Sequence, residues 1–196
     1  MNNNRKQKRK EKENRRITYS ISEENLERIN KNFIQHFDYS YWYHKINAIY
    51  EYIEKPEKIK TEIKYNLDKT LDDTIIENFK LDIHMSVFHS AETLFLVLFG
   101  FIYEPNSIPV WISRCSNKQL RGLIKQLSEN GLEPFVKNPD ELLSIFLYPV
   151  IDEKHNLFQE SKVSVRFVKN YLKRLAKEYI DHLEYNSFKH GFICNS

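Results

Sequence analysis

Apolar residues recur along this chain at intervals of three and four, the period of a helix, while strict alternation of period two is nowhere sustained. Leu26, Ile29, Phe33, Ile34 and Phe37 form the first such face. Ahead of it, Ser20-Ile21-Ser22-Glu23 has the spacing of a capping box, in which a serine oxygen and a glutamate satisfy free backbone N–H groups, so a helix is expected from near Ser22. Tyr39, Tyr41, Trp42 and Tyr43 then lead into Ile46, Ile49, Tyr50 and Ile53, a second amphipathic stretch that Pro56 ends. The expectation for the aromatic cluster is core packing rather than base stacking.

Across 58–79, Ile59, Ile63, Leu67 and Leu71 stand four apart among polar residues, which reads as a solvent-facing helix or helix pair with a narrow buried seam. Residues 81–103 are far more apolar and are expected to form the central helix, closed by Pro105 and Pro109. Leu120, Leu123, Ile124 and Leu127 mark a further helix, with Ser116 as N-cap and Gly131 as the residue that ends it in a left-handed conformation. Asn138-Pro139-Asp140-Glu141 opens a short helix, since proline is tolerated at a first helical position, and Pro149 stops it. The last element is expected over 161–190, with Val168, Tyr171, Leu172, Leu175, Tyr179 and Leu183 as its stripe. With no internal repeat and no home for a sheet, the architecture expected is an all-α helical bundle.

Length and composition narrow this further. A chain of 196 residues is long enough for one core, and 41% hydrophobic and 14% aromatic residues argue for a packed one. The organisation expected is a basic disordered N-terminal arm, 1–19, followed by a single helical domain, 20–196. Residues 1–16 carry eight Lys or Arg and two Glu, net +6, leaving the other 180 residues at −3. A basic arm of this kind attracts phosphate backbones without regard to sequence, although a Lys-rich solvated tail is also what AT-rich coding sequence produces. Cys115 and Cys194 stand in no CxxC and near no histidine at zinc-finger spacing, which fits reduced thiols in a cytoplasmic protein. No apolar signal segment opens the chain, and the longest apolar run, 93–103, is about 11 residues against the roughly 20 of a membrane span, so no membrane is expected as a partner.

The chain has no Gly-rich phosphate loop, GxSxG, HExxH or EF-hand pattern, and with four glycines a nucleotide cradle of the usual kind is not expected; no cofactor is called for. Three histidine groupings remain. His89 and Glu92, three apart, share a helical face, whereas His84, five before His89, points elsewhere. Their order reverses the Glu-x-x-His of di-iron bundles and occurs once, so hydrogen bonding across the bundle interior is the reading preferred over a metal site. His182, Asn186 and His190, spaced by four, make a polar stripe on a helix that elsewhere supplies core. Polar groups beside apolar packing need partners, solvent or ligand, which makes this stripe the foremost functional candidate, set against a solvated face near a fraying helix end. His36 and His44, flanking the aromatic cluster, are read as structural or surface residues.

Two of these segments resemble the HEPN superfamily, helical domains found in bacterial RNA-cleaving toxins and antiviral abortive-infection systems. His89-Ser90-Ala91-Glu92-Thr93-Leu94-Phe95-Leu96 is similar to an early core helix of that family, and Tyr185-Asn186-Ser187-Phe188-Lys189-His190-Gly191 to a later one that carries an arginine, often an asparagine, then a histidine. The resemblance covers about 25 residues in the family's order. It implies a metal-independent ribonuclease with His190 as base or acid, Asn186 beside it, Lys189 as the nearest cation, and His182, His89 and Glu92 as binding residues. It also implies RNA as a partner and a homodimer. The chain departs from the family where the nucleolytic arginine belongs: the positions four to six intervening residues before His190 hold Tyr185, Glu184 and Leu183. Cleavage without a metal needs a base for the 2′-hydroxyl proton and a cation for the charge that builds on the phosphate. Lys189 points about 100° away from His190, and Arg174 lies roughly 24 Å back along a helix. Glu184 would repel phosphate.

The functional expectation is therefore a HEPN-like, RNA-associated or defence-related module. Two alternatives come from other classes. One is an interaction bundle whose polar stripe and aromatic cluster meet a partner protein. The other is a metal-dependent bundle enzyme built on His89, Glu92, His182 and His190.

Overall fold

The computed structural model describes residues 21–38, 40–55, 69–147 and 158–182. Among them stand seven helices and no strand, an all-α helical bundle as the periodicity requires: α1 (Glu23–His36), α2 (Tyr41–Glu54), α3 (Lys69–Tyr103), α4 (Ile108–Arg114), α5 (Asn117–Asn130), α6 (Pro139–Leu147) and α7 (Phe158–Asp181). Packing groups the chain into two compact units, one of residues 1–37 and 95–174, the other of 38–94 and 175–196.

The helix ends follow the caps in the sequence, with corrections. Ser22 caps α1, its hydroxyl accepting from the Asn25 N–H at 3.4 Å; Ser20, the first residue of the expected capping box, lies outside the described residues. Ser116 caps α5 by accepting from the Gln119 N–H at 3.2 Å, and Gly131 at φ 74° ends that helix, a backbone angle that costs glycine nothing. Asn138 caps α6 through its side chain. The Asn138 side chain accepts from the Glu141 N–H at 3.4 Å and donates to the Glu141 carboxylate at 2.9 Å.

In the first unit the core is Phe95, Leu98 and Phe99 of α3 with Ile124 and Leu127 of α5, Leu132, and Leu143 of α6, all fully buried. Phe135 sets its ring edge-on to Phe99 at 5.2 Å, and Phe146 meets Phe101 at 5.4 Å. Pro109 does not close the central helix; it is the second residue of α4, a short helix absent from the sequence reading. Gly100 makes room for it, since a Cβ there would come within 2.9 Å of Ile108 Cγ2. Asn30 of α1 ties the turn between α3 and α4: its amide donates to the Pro105 carbonyl at 3.0 Å and its oxygen accepts from the Ile108 N–H at 3.1 Å. In the same turn Glu104 accepts from the Ser107 hydroxyl and lies 3.7 Å from Arg114. Burial pushes the Cys115 thiol up to about 11, so it is protonated at neutral pH.

Three expectations about faces are corrected. No residue of α1 is buried; Ile29, Ile34 and Phe37 are exposed, because little is packed over that face. Tyr41 and Tyr43 are exposed rather than core, since in α2 it is Ile49 that turns inward. On α7 the inward residues are Val165, Leu172, Ala176 and Tyr179, while Tyr171 faces out.

Helix α3 also starts earlier than 81 and runs 35 residues without a break at the polar stretch that precedes it. Over residues 74–103 it is long and apolar enough, by length and composition, to cross a membrane; 44% of its apolar window is buried inside the protein. The N-terminal arm, the seam at Ile59, Ile63 and Leu67, and Pro149 lie outside the described residues.

Replacing Asn30 with alanine leaves the buried Ile108 N–H without its acceptor and frees the Pro105 turn. The expected cost is about 2 kcal/mol, roughly 4–8 °C in Tm for a chain of this size. An unchanged melting curve for Asn30→Ala would remove the side chain from any structural role.

Candidate functional site

The described histidines of the second unit lie on α3, α2 and the end of α7. At 100° per residue, His84 and Phe88 are 40° apart on α3, His89 is a further 100° round, and Glu92 falls between Phe88 and His89. The helix therefore presents two faces that carry chemistry.

On one face His84 and Phe88 receive the end of α7. The His182 ring meets His84 edge-on at 5.5 Å and Phe88 edge-on at 5.1 Å, and Tyr179, one turn earlier, lies 6.0 Å from Phe88. His84 also leans on Phe88 at 4.8 Å. Its Nε2 is shut off from solvent and has no partner among the described residues. Ser86, fully buried, has an Oγ in the same condition.

On the other face His89 stacks on Trp42 of α2, rings 5.8 Å apart and 16° from parallel. Lys45 Nζ also sits over the indole, 5.6 Å from the ring centre, an electrostatic attraction between cation and π-face. His89 Nδ1 is 4.0 Å from the Glu92 carboxylate, the distance of an ion pair when the imidazole is protonated. Glu92 is buried at 8% exposure, which is costly for a carboxylate and is met by polar contacts. The Thr93 hydroxyl donates to the His89 carbonyl at 2.8 Å, which ties off that turn.

The expected pairing of His89 with Glu92 is thus present as a neighbour contact on one helix. His182 is brought to α3, where its ring contacts are with His84 and Phe88. Asn186, Lys189 and His190 lie outside the described residues. Sequence reasoning set His84 aside because it stands five residues from His89; the usable signal was its four-residue spacing to Phe88, which puts both on the face that α7 meets. Trp42 is expected from the sequence in the core or, in the interaction-bundle alternative, against a partner protein, although an indole beside a histidine and a lysine is also a place for a cation. Among the described residues no group of three His, Cys, Asp or Glu side chains could hold a metal ion, so His89, Glu92 and His182 do not by themselves supply the metal-enzyme alternative. What the arrangement does supply is hydrogen-bonding and proton-accepting imidazole beside aromatic surface: one ring half-exposed over Trp42, one at the end of α7.

His84→Phe tests whether the buried nitrogen is idle. The ring contacts with Phe88 and His182 are kept and the unpaired polar atom is removed, so the expected change is a stabilisation of about 1 kcal/mol, or roughly 2–4 °C in Tm. A clear loss of stability would mean that Nε2 serves a partner.

Comparison with protein-family models, with curated proteins and with solved structures finds no match for this chain.

Proposed function

We propose that this chain is a HEPN-like, RNA-associated helical domain of an antiviral-defence or toxin–antitoxin system, acting in the cytoplasm as a homodimer. The observation that carries the reading is the meeting of α3 and α7. The segment His89-Ser90-Ala91-Glu92 lies in the middle of α3 with Glu92 buried, and His182 packs on that same helix two turns before Glu92. His182 leads directly into the segment of Asn186, Lys189 and His190. His89-Ser90-Ala91-Glu92 thus lies on a helix that His182, at the end of α7, meets, and the segment similar to the family's second motif begins three residues further along the chain. The net +6 of residues 1–16 adds a polycation that favours a polyanionic partner.

In this reading His190 moves the 2′-hydroxyl proton and Asn186 holds a phosphate or base edge. With Glu184 where the family has its arginine, charge on the phosphate must be met by Lys189 or by the second protomer. Association with RNA is the part of the reading that does not depend on that cation.

A second reading, an interaction bundle for a partner protein, is favoured by the outward aromatic face of α2, where Tyr41, Tyr43 and Tyr50 are 52%, 66% and 53% exposed. Association that survives nuclease treatment belongs to that reading and not to the first.

The test is binding and cleavage of labelled tRNA by the intact protein in EDTA, beside His190→Ala. Binding is expected at low salt, with affinity falling about a thousand-fold between roughly 50 and 200 mM salt if six or more phosphates are engaged. Any cleavage is expected to vanish in His190→Ala while binding persists. No affinity for RNA at low salt would sink the proposal.

A further inference from the structure

The outward face of α7 combines charge and aromatic surface in a way that the candidate site does not use. Between Glu160 and Glu178 the sequence has six cations, Lys162, Arg166, Lys169, Lys173, Arg174 and Lys177, and no acid. Burial on α7 is confined to the side of Val165 and Leu172, so the opposite side carries two parallel rows at helical spacing: Arg166, Asn170 and Lys173, and beside them Phe167, Tyr171 and Arg174. All six are exposed, and all lie in the first unit. Phe167 and Tyr171 are 69% and 49% exposed, and their rings run nearly parallel, 11° apart in plane and 6.3 Å between centres.

Phe167 stands on this face with Arg166, Asn170, Tyr171 and Lys173 about it, a mixture of charge and aromatic surface rather than an apolar patch. The fourth cation of this part of the helix explains why the face stays positive. Lys169, turned toward the other side, takes up two nearby carboxylates, Glu133 at 2.8 Å and Asp140 at 3.3 Å. That hydrogen bond holds the Glu133 carboxyl below its ordinary range and the Lys169 ammonium above its own. Those two acids are engaged there, and the rows themselves carry no acid before Glu178, one turn beyond Arg174.

We infer that this face of α7 is a binding surface for single-stranded RNA, with Phe167 and Tyr171 stacking on unpaired bases and Arg166 and Lys173 following the phosphates. Charge complementarity selects a polyanion, and the open pair of rings selects a strand whose bases are not already stacked in a duplex. The rows span about 12 Å along the helix, room for a few nucleotides. The inference rests on the RNA-associated reading above and names the surface through which it operates.

The experiment measures binding of labelled oligouridine to the intact protein by fluorescence anisotropy across a salt series. The proteins compared are the wild type, Phe167→Ala with Tyr171→Ala, Arg166→Gln with Lys173→Gln, and a chain lacking residues 2–19; circular dichroism confirms that each is folded. The aromatic variant is expected to bind about ten-fold or more weakly with the salt slope unchanged. The charge variant is expected to lower the slope by about 1.4, two phosphates at about 0.7 each. If the wild type binds but both α7 variants match it, and only the tail-less chain loses affinity, the face is refuted while the RNA reading stands. If the wild type does not bind at low salt, the reading fails and this inference with it. Duplex RNA held as tightly as the single strand overturns the stacking role. So does a loss of binding to phosphatidylserine vesicles in the aromatic variant with RNA binding unchanged.

Discussion

Helix α3 is the element on which the rest depends, because it is the longest helix among the described residues and runs through both units. Its residues supply core to each unit: Met85, Phe88 and Ala91 in one, Phe95, Leu98 and Phe99 in the other. Removing such side chains from water contributes roughly 1.5–3 kcal/mol apiece, which sets the scale of what keeps the shorter helices in place. Against that background the polar residues of α3 stand out. Glu92 is buried, and His84 Nε2 and Ser86 Oγ have no hydrogen-bond partner among the described residues, placements that cost free energy beside apolar packing.

Much of the fold was legible because caps and stop residues act locally. Ser22, Ser116 and the Asn138-Pro139 pair open helices where they stand, and Gly131 closes one, since each effect needs only the backbone next to it. Periodicity also located α5 and its inward residues, Leu120, Ile124 and Leu127. The mistaken faces have a common physical origin. Period three-and-four says that one side of a helix is apolar, but not how much protein lies over it. Ile34 and Tyr171 fit the stripes of α1 and α7 and are nonetheless turned outward. The unbroken course of α3 through its polar first turns was hidden for the same reason, as a helix continues wherever its later turns are buried. Helix α4 escaped notice because Pro109 reads equally as a stop or as an early helical residue.

The candidate site was legible as chemistry and not as geometry. His89 and Glu92 could be paired from spacing alone, because three residues apart on a helix fixes their separation. That His182 would meet His84 and Phe88 depends on how α7 lies on α3, a long-range matter that spacing within either helix does not encode. The α7 face was visible in the sequence as a run of cations without an acid. What the sequence did not show is that the two aromatic residues within that run face the same way as the cations.

On the proposed reading, recognition is divided between a positive, aromatic outer face on α7 and the imidazole groups gathered where α3 meets the end of that helix. The most direct measurement of the claim that the chain associates with RNA is ultraviolet cross-linking of 4-thiouridine RNA to the intact protein, followed by mass spectrometry of the adducts. The account predicts adducts on Phe167 or Tyr171. Adducts found only on other surfaces, or none above that of an unrelated helical protein, would contradict it.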